Sequence, residues 1–126
     1  MILLDTCAVI DLFRSNGSLV ALLKKHPSLY AVSEITCFEL YVGALSLNKK
    51  SELALLQSFL SDVTILQGVD FMEAANLYVR LRKDGIEIPK NDCIIAAAAL
   101  RIDSCMLVTK DLKHFSRVPS LQIITY

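Results

Sequence analysis

The sequence predicts an α/β fold: a three-layer α/β/α sandwich around a parallel sheet of roughly five strands. Three observations carry that expectation. Short strand-like segments recur at Ile2–Leu4, Tyr30–Val32, Val63–Leu66, Met106–Val108 and Leu121–Thr125, and an uninterrupted apolar run such as Ile2–Leu4 suits a strand buried on both faces. Helical segments separate them, which makes the connections crossovers and the sheet parallel. Across its 126 residues the chain shows no composition break, linker or repeat. Residues 1–126 therefore read as a single domain, long enough to bury roughly two-thirds of the unfolded surface.

Each element has a local reason. Ile2–Leu4 stops at Asp5-Thr6, a pair suited to turning the chain into a helix over Ala8–Phe13. Ser15-Asn16-Gly17-Ser18 breaks the pattern and offers N-caps to a second helix over Leu19–Lys25, which His26-Pro27 ends. After the strand Tyr30–Val32, Ser33 as N-cap and Glu34 in the first turn start a helix to about Leu47. In it Ile35, Phe38, Val42 and Leu45 form the stripe expected to pack on the sheet. Lys49–Leu60 is a further amphipathic helix with Leu53, Leu56 and Leu60 on one side, followed by the strand Val63–Leu66. Asp70 opens a helix through Lys83 that points Ala74, Leu77, Tyr78 and Leu81 inward and ends at Asp84-Gly85. Past Pro89, from Lys90 or Asn91, an almost wholly apolar helix to Arg101 predicts a central, alanine-packed element. Met106–Val108 and Leu121–Thr125 complete the strands.

Composition narrows the function. Hydrophobic residues make up 54% and charged residues 21%, which excludes disorder. The apolar share exceeds the roughly 45–50% of an ordinary soluble domain, so part of it is expected on the surface, facing a protein partner. The longest apolar run, Cys93–Leu100, has eight residues against the ~20 that cross a bilayer, so no membrane segment is expected. The N-terminus lacks a basic region and a cleavage site, and the expected location is the cytoplasm. Thirteen basic residues balance thirteen acidic ones, so any grip on a nucleic acid must be local. Among the basic clusters, Lys110, Lys113 and Arg117 around Asp111 have the best claim to phosphate contact, and His114 is read as a surface or phosphate contact. Cys7, Cys37, Cys93 and Cys105 have no zinc-site spacing and read as reduced, small hydrophobes.

Four acids stand where an apolar fold does not spend a charge. Asp5 follows the first strand, Glu39 interrupts a largely apolar helix, Asp92 precedes Cys93-Ile94-Ile95-Ala96, and Asp111 lies two residues past Leu107-Val108-Thr109. Singly, Asp5 can cap a helix, Asp92 can favour a helix N-terminus, Asp111 can open a turn and Glu39 can face water. Asp5 and Asp111 nonetheless fall beyond the carboxyl ends of strands, where ligand sites of such sheets lie. Four carboxylates on one rim repel one another unless a cation joins them, and oxygen ligands favour Mg²⁺, with Mn²⁺ as a substitute. Thr6 and Thr109 supply neutral hydrogen bonds beside them.

These residues fall into a known arrangement. The matching stretches are Leu3-Leu4-Asp5-Thr6, Val32-Ser33-x-x-Thr36-x-x-Glu39-Leu40-x-x-Gly43-Ala44, Pro89-x-x-Asp92-x-x-Ile95-Ala96-Ala97-Ala98 and Leu107-Val108-Thr109-x-Asp111-x-x-x-Phe115. In order and at this length, they make the chain resemble a PIN-domain ribonuclease, a VapC-type toxin of a type II toxin–antitoxin system. The resemblance implies Mg²⁺-dependent endonucleolytic hydrolysis of RNA, a cognate antitoxin and a homodimer. It carries metal binding to Asp5 and Asp92, with Glu39 and Asp111 as the third and fourth acids. An antitoxin segment is expected on the apolar faces of the helices over Leu19–Leu60. The alternatives are a non-catalytic nucleic-acid-binding or adaptor domain, and a phosphatase or DNA nuclease on a similar rim.

Overall fold

The computed structural model describes Met1–Tyr126. Strand β1 (Ile2–Leu4) leads into α1 (Thr6–Phe13) and α2 (Gly17–Lys25), and β2 (Tyr30–Ser33) into α3 (Glu34–Ser46) and α4 (Lys50–Asp62). Then follow β3 (Thr64–Leu66), α5 (Phe71–Lys83), α6 (Lys90–Leu100), β4 (Met106–Val108), α7 (Leu112–Phe115) and β5 (Gln122–Ile124). The sheet runs β3-β2-β1-β4-β5 and every neighbouring pair is parallel. After β1 the chain winds outward to β3, then returns to set β4 on the other side of β1. The gap between β1 and β4 is thus the switch point of the sheet, where loops diverge and leave a crevice.

Alternation along the strands builds two cores. Ile2, Leu4, Val32 and Val108 face one way, onto Ala8 and Val9 of α1, Leu19, Leu40, Leu56 and Leu60. Leu3, Ala31 and Leu107 face the other way, onto Leu77 and Leu81 of α5, the alanines of α6, and Phe115. These are the two outer layers of the expected sandwich. In α6, Ala96 to Ala99 are all buried, because a methyl-sized side chain lets the helix sit close to both the sheet and α5. No single helix is long and apolar enough to cross a membrane.

One local expectation fails, and one element carries no expectation at all. The stripe assigned to the inward face of α3 points largely outward: Phe38 is 62% exposed, Val42 50% and Leu45 61%. The buried positions are Thr36 and Leu40, one step around the helix. The Ser33 hydroxyl accepts from the Thr36 amide at 3.2 Å and bonds the Thr36 hydroxyl at 3.0 Å, with both residues fully buried. This polar cap fixes the helix rotation at its first turn, and the apolar stripe follows it out to solvent. The sequence also shows no sign of α7, because one turn is too short to display a helical period.

Candidate active site

Two strand ends define the site. Asp5 follows β1 and caps α1, its Oδ1 accepting from the Thr6 amide at 2.7 Å. Its Oδ2 accepts from Thr109 Oγ1 at 2.8 Å and from Cys7 Sγ at 3.1 Å. Such donors are what allow a carboxylate to be only 6% exposed. Thr109, fully buried just past β4, also accepts from the Asp111 amide at 3.0 Å. One hydroxyl therefore joins the end of β1 to the loop after β4.

The other acids are held with similar economy. Asp111 caps α7, its Oδ1 accepting from the His114 amide at 3.2 Å. Asp92 occupies the first turn of α6, where the helix's positive end favours a carboxylate. Burial, followed by the charge of Asp5, nevertheless pushes its carboxyl up to about 6, against the pull of His114. Glu39 lies on the half-buried flank of α3, where Thr6 Oγ1 donates to its Oε1 at 2.9 Å.

The tightest grouping is Asp92, Asp111 and His114, whose ligand-type atoms all lie within 4.8 Å of one another. His114 Nδ1 stands 2.9 Å from Asp92 Oδ2 and 2.7 Å from Asp111 Oδ2. Asp5 lies outside this trio, yet its charge acts on Asp92. Glu39 lies outside it too, linked to the turn of Asp5 through Thr6. The capping roles that each acid could play singly prove compatible with a site. Capping takes Oδ1 of Asp5 and of Asp111, while Oδ2 of Asp92 and of Asp111 converge. Carboxylate oxygens gathered in this way suit a hard divalent cation, and the residues present fit one.

Sequence reading missed two features. His114 belongs to the acidic grouping rather than to the surface alone; its spacing of three from Asp111 signals this only once α7 is known. The second is a clasp beside the site, where buried Asp11 accepts from Lys110 Nζ at 2.6 Å and from Tyr126 Oη at 2.8 Å. Lys110 first, and then Tyr126, hold the Asp11 carboxyl below its usual range. Burial and then the Asp11 bond push the Tyr126 phenol up. Lys110 is thus committed to Asp11, not free for phosphate as its position beside Asp111 suggests. Lys113 and Arg117 remain exposed. Nothing in the sequence links Asp11 to partners 99 and 115 positions away.

Comparison with known proteins identifies the family of the fold. The PIN domain model matches residues 2–121. Ribonuclease VapC11 of Mycobacterium tuberculosis is 32% identical, over 100% of this chain and 99% of its own length. The solved structure of VapBC2 from Rickettsia felis, bound to a DNA fragment from their promoter, superposes with a TM-score of 0.83 at 28% identity, covering 100% of this chain and 99% of that one. A toxin-antitoxin complex from Klebsiella pneumoniae gives a TM-score of 0.72 at 28% identity, covering 99% and 97%. The chain belongs to the PIN-domain family, in the branch of the VapC toxins.

Proposed function

We propose that the chain is a Mg²⁺-dependent endoribonuclease, with Mn²⁺ as a substitute ion, acting in the cytoplasm as the toxin of a type II toxin–antitoxin pair. The convergence of Asp92 and Asp111 at the switch point of the sheet, beside an Asp5 locked by Thr109, carries this reading. The relatives' ribonuclease naming and toxin–antitoxin assemblies support it. Asp5, Asp92 and Asp111 would hold the ion. When bound, it supplies a water of lowered pKa and neutralises charge developing on a phosphodiester. Thr109 orients the Asp5 carboxylate, and Thr6 restrains Glu39 Oε1, leaving Oε2 to accept a proton from the attacking water. Of the cluster around Asp111, Lys113 and Arg117 are the exposed cations available to draw an RNA backbone to a chain without net charge.

Asp5→Asn tests the enzyme. Asparagine caps a helix as well as aspartate does, so the fold should be kept while one negative ligand is lost. Cleavage of RNA with Mg²⁺ should fall at least about a hundredfold, with an unchanged circular dichroism spectrum. A wild-type chain that cleaves no RNA with either Mg²⁺ or Mn²⁺ would favour the adaptor reading instead.

Two apolar surfaces suit the proposed partners. A groove of about 420 Å³ between α1, α3 and α4, lined by Ile10, Phe13, Leu40, Leu47 and Leu55, runs up to Glu39 and is where we place the antitoxin segment. Phe71, 67% exposed, and Met72, 70% exposed, open α5 and suit the homodimer contact. Produced alone, the chain should self-associate; produced together with its antitoxin, it should co-purify with it. A stable monomer at high concentration in size-exclusion chromatography would count against both surfaces.

A further inference from the structure

His114 is the one nitrogen in the acidic grouping, and nothing in the reading above uses its side chain. Its Nδ1 lies 2.7 Å from Asp111 Oδ2 and 2.9 Å from Asp92 Oδ2. Those distances suit ion pairs, and although His114 draws on the Asp92 carboxylate, the buried Nδ1 makes no well-formed hydrogen bond to either oxygen. A buried polar atom in that state calls for an explanation. Adjacent ligands of an octahedral ion with bonds of about 2.1 Å stand about 3 Å apart. Both N···O separations match that edge. The approach is also built into the backbone: the His114 amide binds Asp111 Oδ1 at 3.2 Å, so the cap of α7 sets Oδ2 of Asp111 beside the imidazole of its own third residue.

We propose that His114 Nδ1 is a direct ligand of the divalent ion, completing a face formed with Asp92 Oδ2 and Asp111 Oδ2. The inference rests on the metal-dependent reading above and deepens it by changing the donor set. An all-carboxylate site suits Mg²⁺, whereas an imidazole in the shell favours transition ions, so this site prefers Mn²⁺ to Mg²⁺. The rival role for His114 is a resident counter-charge that occupies the ion's place and competes with it. The two roles predict opposite signs on its removal.

Mn²⁺ binding to the full chain, followed by electron paramagnetic resonance and calorimetry without RNA, separates them. Wild type should show spin-echo modulation from a directly bound nitrogen. His114→Ala should lose that signal, bind Mn²⁺ about ten- to a hundredfold more weakly and lose the preference over Mg²⁺. His114→Asn places an amide oxygen near the position of Nδ1; it should keep most of the affinity without the nitrogen signal. Thermal melts establish that each variant is folded, and the Asn variant carries the test if the Ala variant is not. Equal or tighter Mn²⁺ binding by His114→Ala, or no nitrogen signal in wild type, overturns the proposal. Binding that depends on Asp92 but not on His114 sinks this inference alone. A wild-type chain that binds neither ion overturns it together with the metal-dependent reading.

Discussion

Asp92→Asn should abolish cleavage and yet raise the stability of the ion-free chain. The carboxyl titrates at about 6, raised first by burial and then by the charge of Asp5. A folded-state value above the unfolded one of roughly 4 means that the fold favours the protonated form. Below about pH 4 the group is neutral in both states and costs nothing; between about 4 and 6 stability falls as pH rises, and above 6 the full cost is present. Asparagine has the same shape and no charge, so in chelator at pH 7 the variant should gain on the order of 2 kcal/mol. The gain should vanish at pH 4. With saturating Mg²⁺ the order should reverse, because bound ion stabilises only the protein that keeps the carboxylate. RNA cleavage should drop at least about a hundredfold. Denaturant melts in chelator and in Mg²⁺, at pH 4 and pH 7, provide the check. An ion-free variant less stable than wild type at pH 7 would show that the Asp92 charge is satisfied within the protein.

The same tension explains which parts of the molecule were legible in the sequence. The central strands β1, β2 and β4 were readable because burial demands apolar runs, while the edge strands β3 and β5, with exposed Thr64 and Gln122, keep only part of that pattern. Each expected segment matches a strand of the parallel sheet to within a residue or two. Asp5 stood out because a charge directly after an apolar run has few uses, and Asp111 because it lies just beyond the end of β4. The rotation of α3 was not readable. Periodicity shows that an apolar stripe exists, but the buried Ser33–Thr36 cap decides which way it faces. Phe38, Val42 and Leu45 were left outside, where they account for part of the apolar excess that the composition had already shown. Long-range polar contacts left no trace either. Asp11 reaches Lys110 and Tyr126 only because α1, the loop after β4 and the chain after β5 meet at one end of the sheet. His114 was hidden for a related reason, since its place among the acids depends on a helix of one turn.

Thr109→Val should act in the opposite direction to Asp92→Asn on stability and in the same direction on cleavage. The side chain is fully buried, and its hydroxyl makes three contacts that valine cannot replace: it donates to Asp5 Oδ2 at 2.8 Å, accepts from the Asp111 amide at 3.0 Å and meets Cys7 Sγ at 3.5 Å. Valine fills the same space and leaves that oxygen of Asp5 with only the Cys7 thiol, a weak donor. Stranding a buried polar group costs about 1–3 kcal/mol, which for a domain of this size lowers the thermal midpoint by about 5–10 °C. Asp5 and Asp111 also lose their shared anchor, so cleavage should fall at least about tenfold even in saturating Mg²⁺, where a defect in ion affinity alone would be rescued. Thr109→Ser keeps the hydroxyl and should recover most of both losses, since only a methyl is missing. If the valine variant melts with wild type and cleaves normally at saturating Mg²⁺, the Thr109 hydroxyl does not align the two strand ends. If serine fails to rescue, the methyl packing of Thr109, not its hydroxyl, is what the site requires.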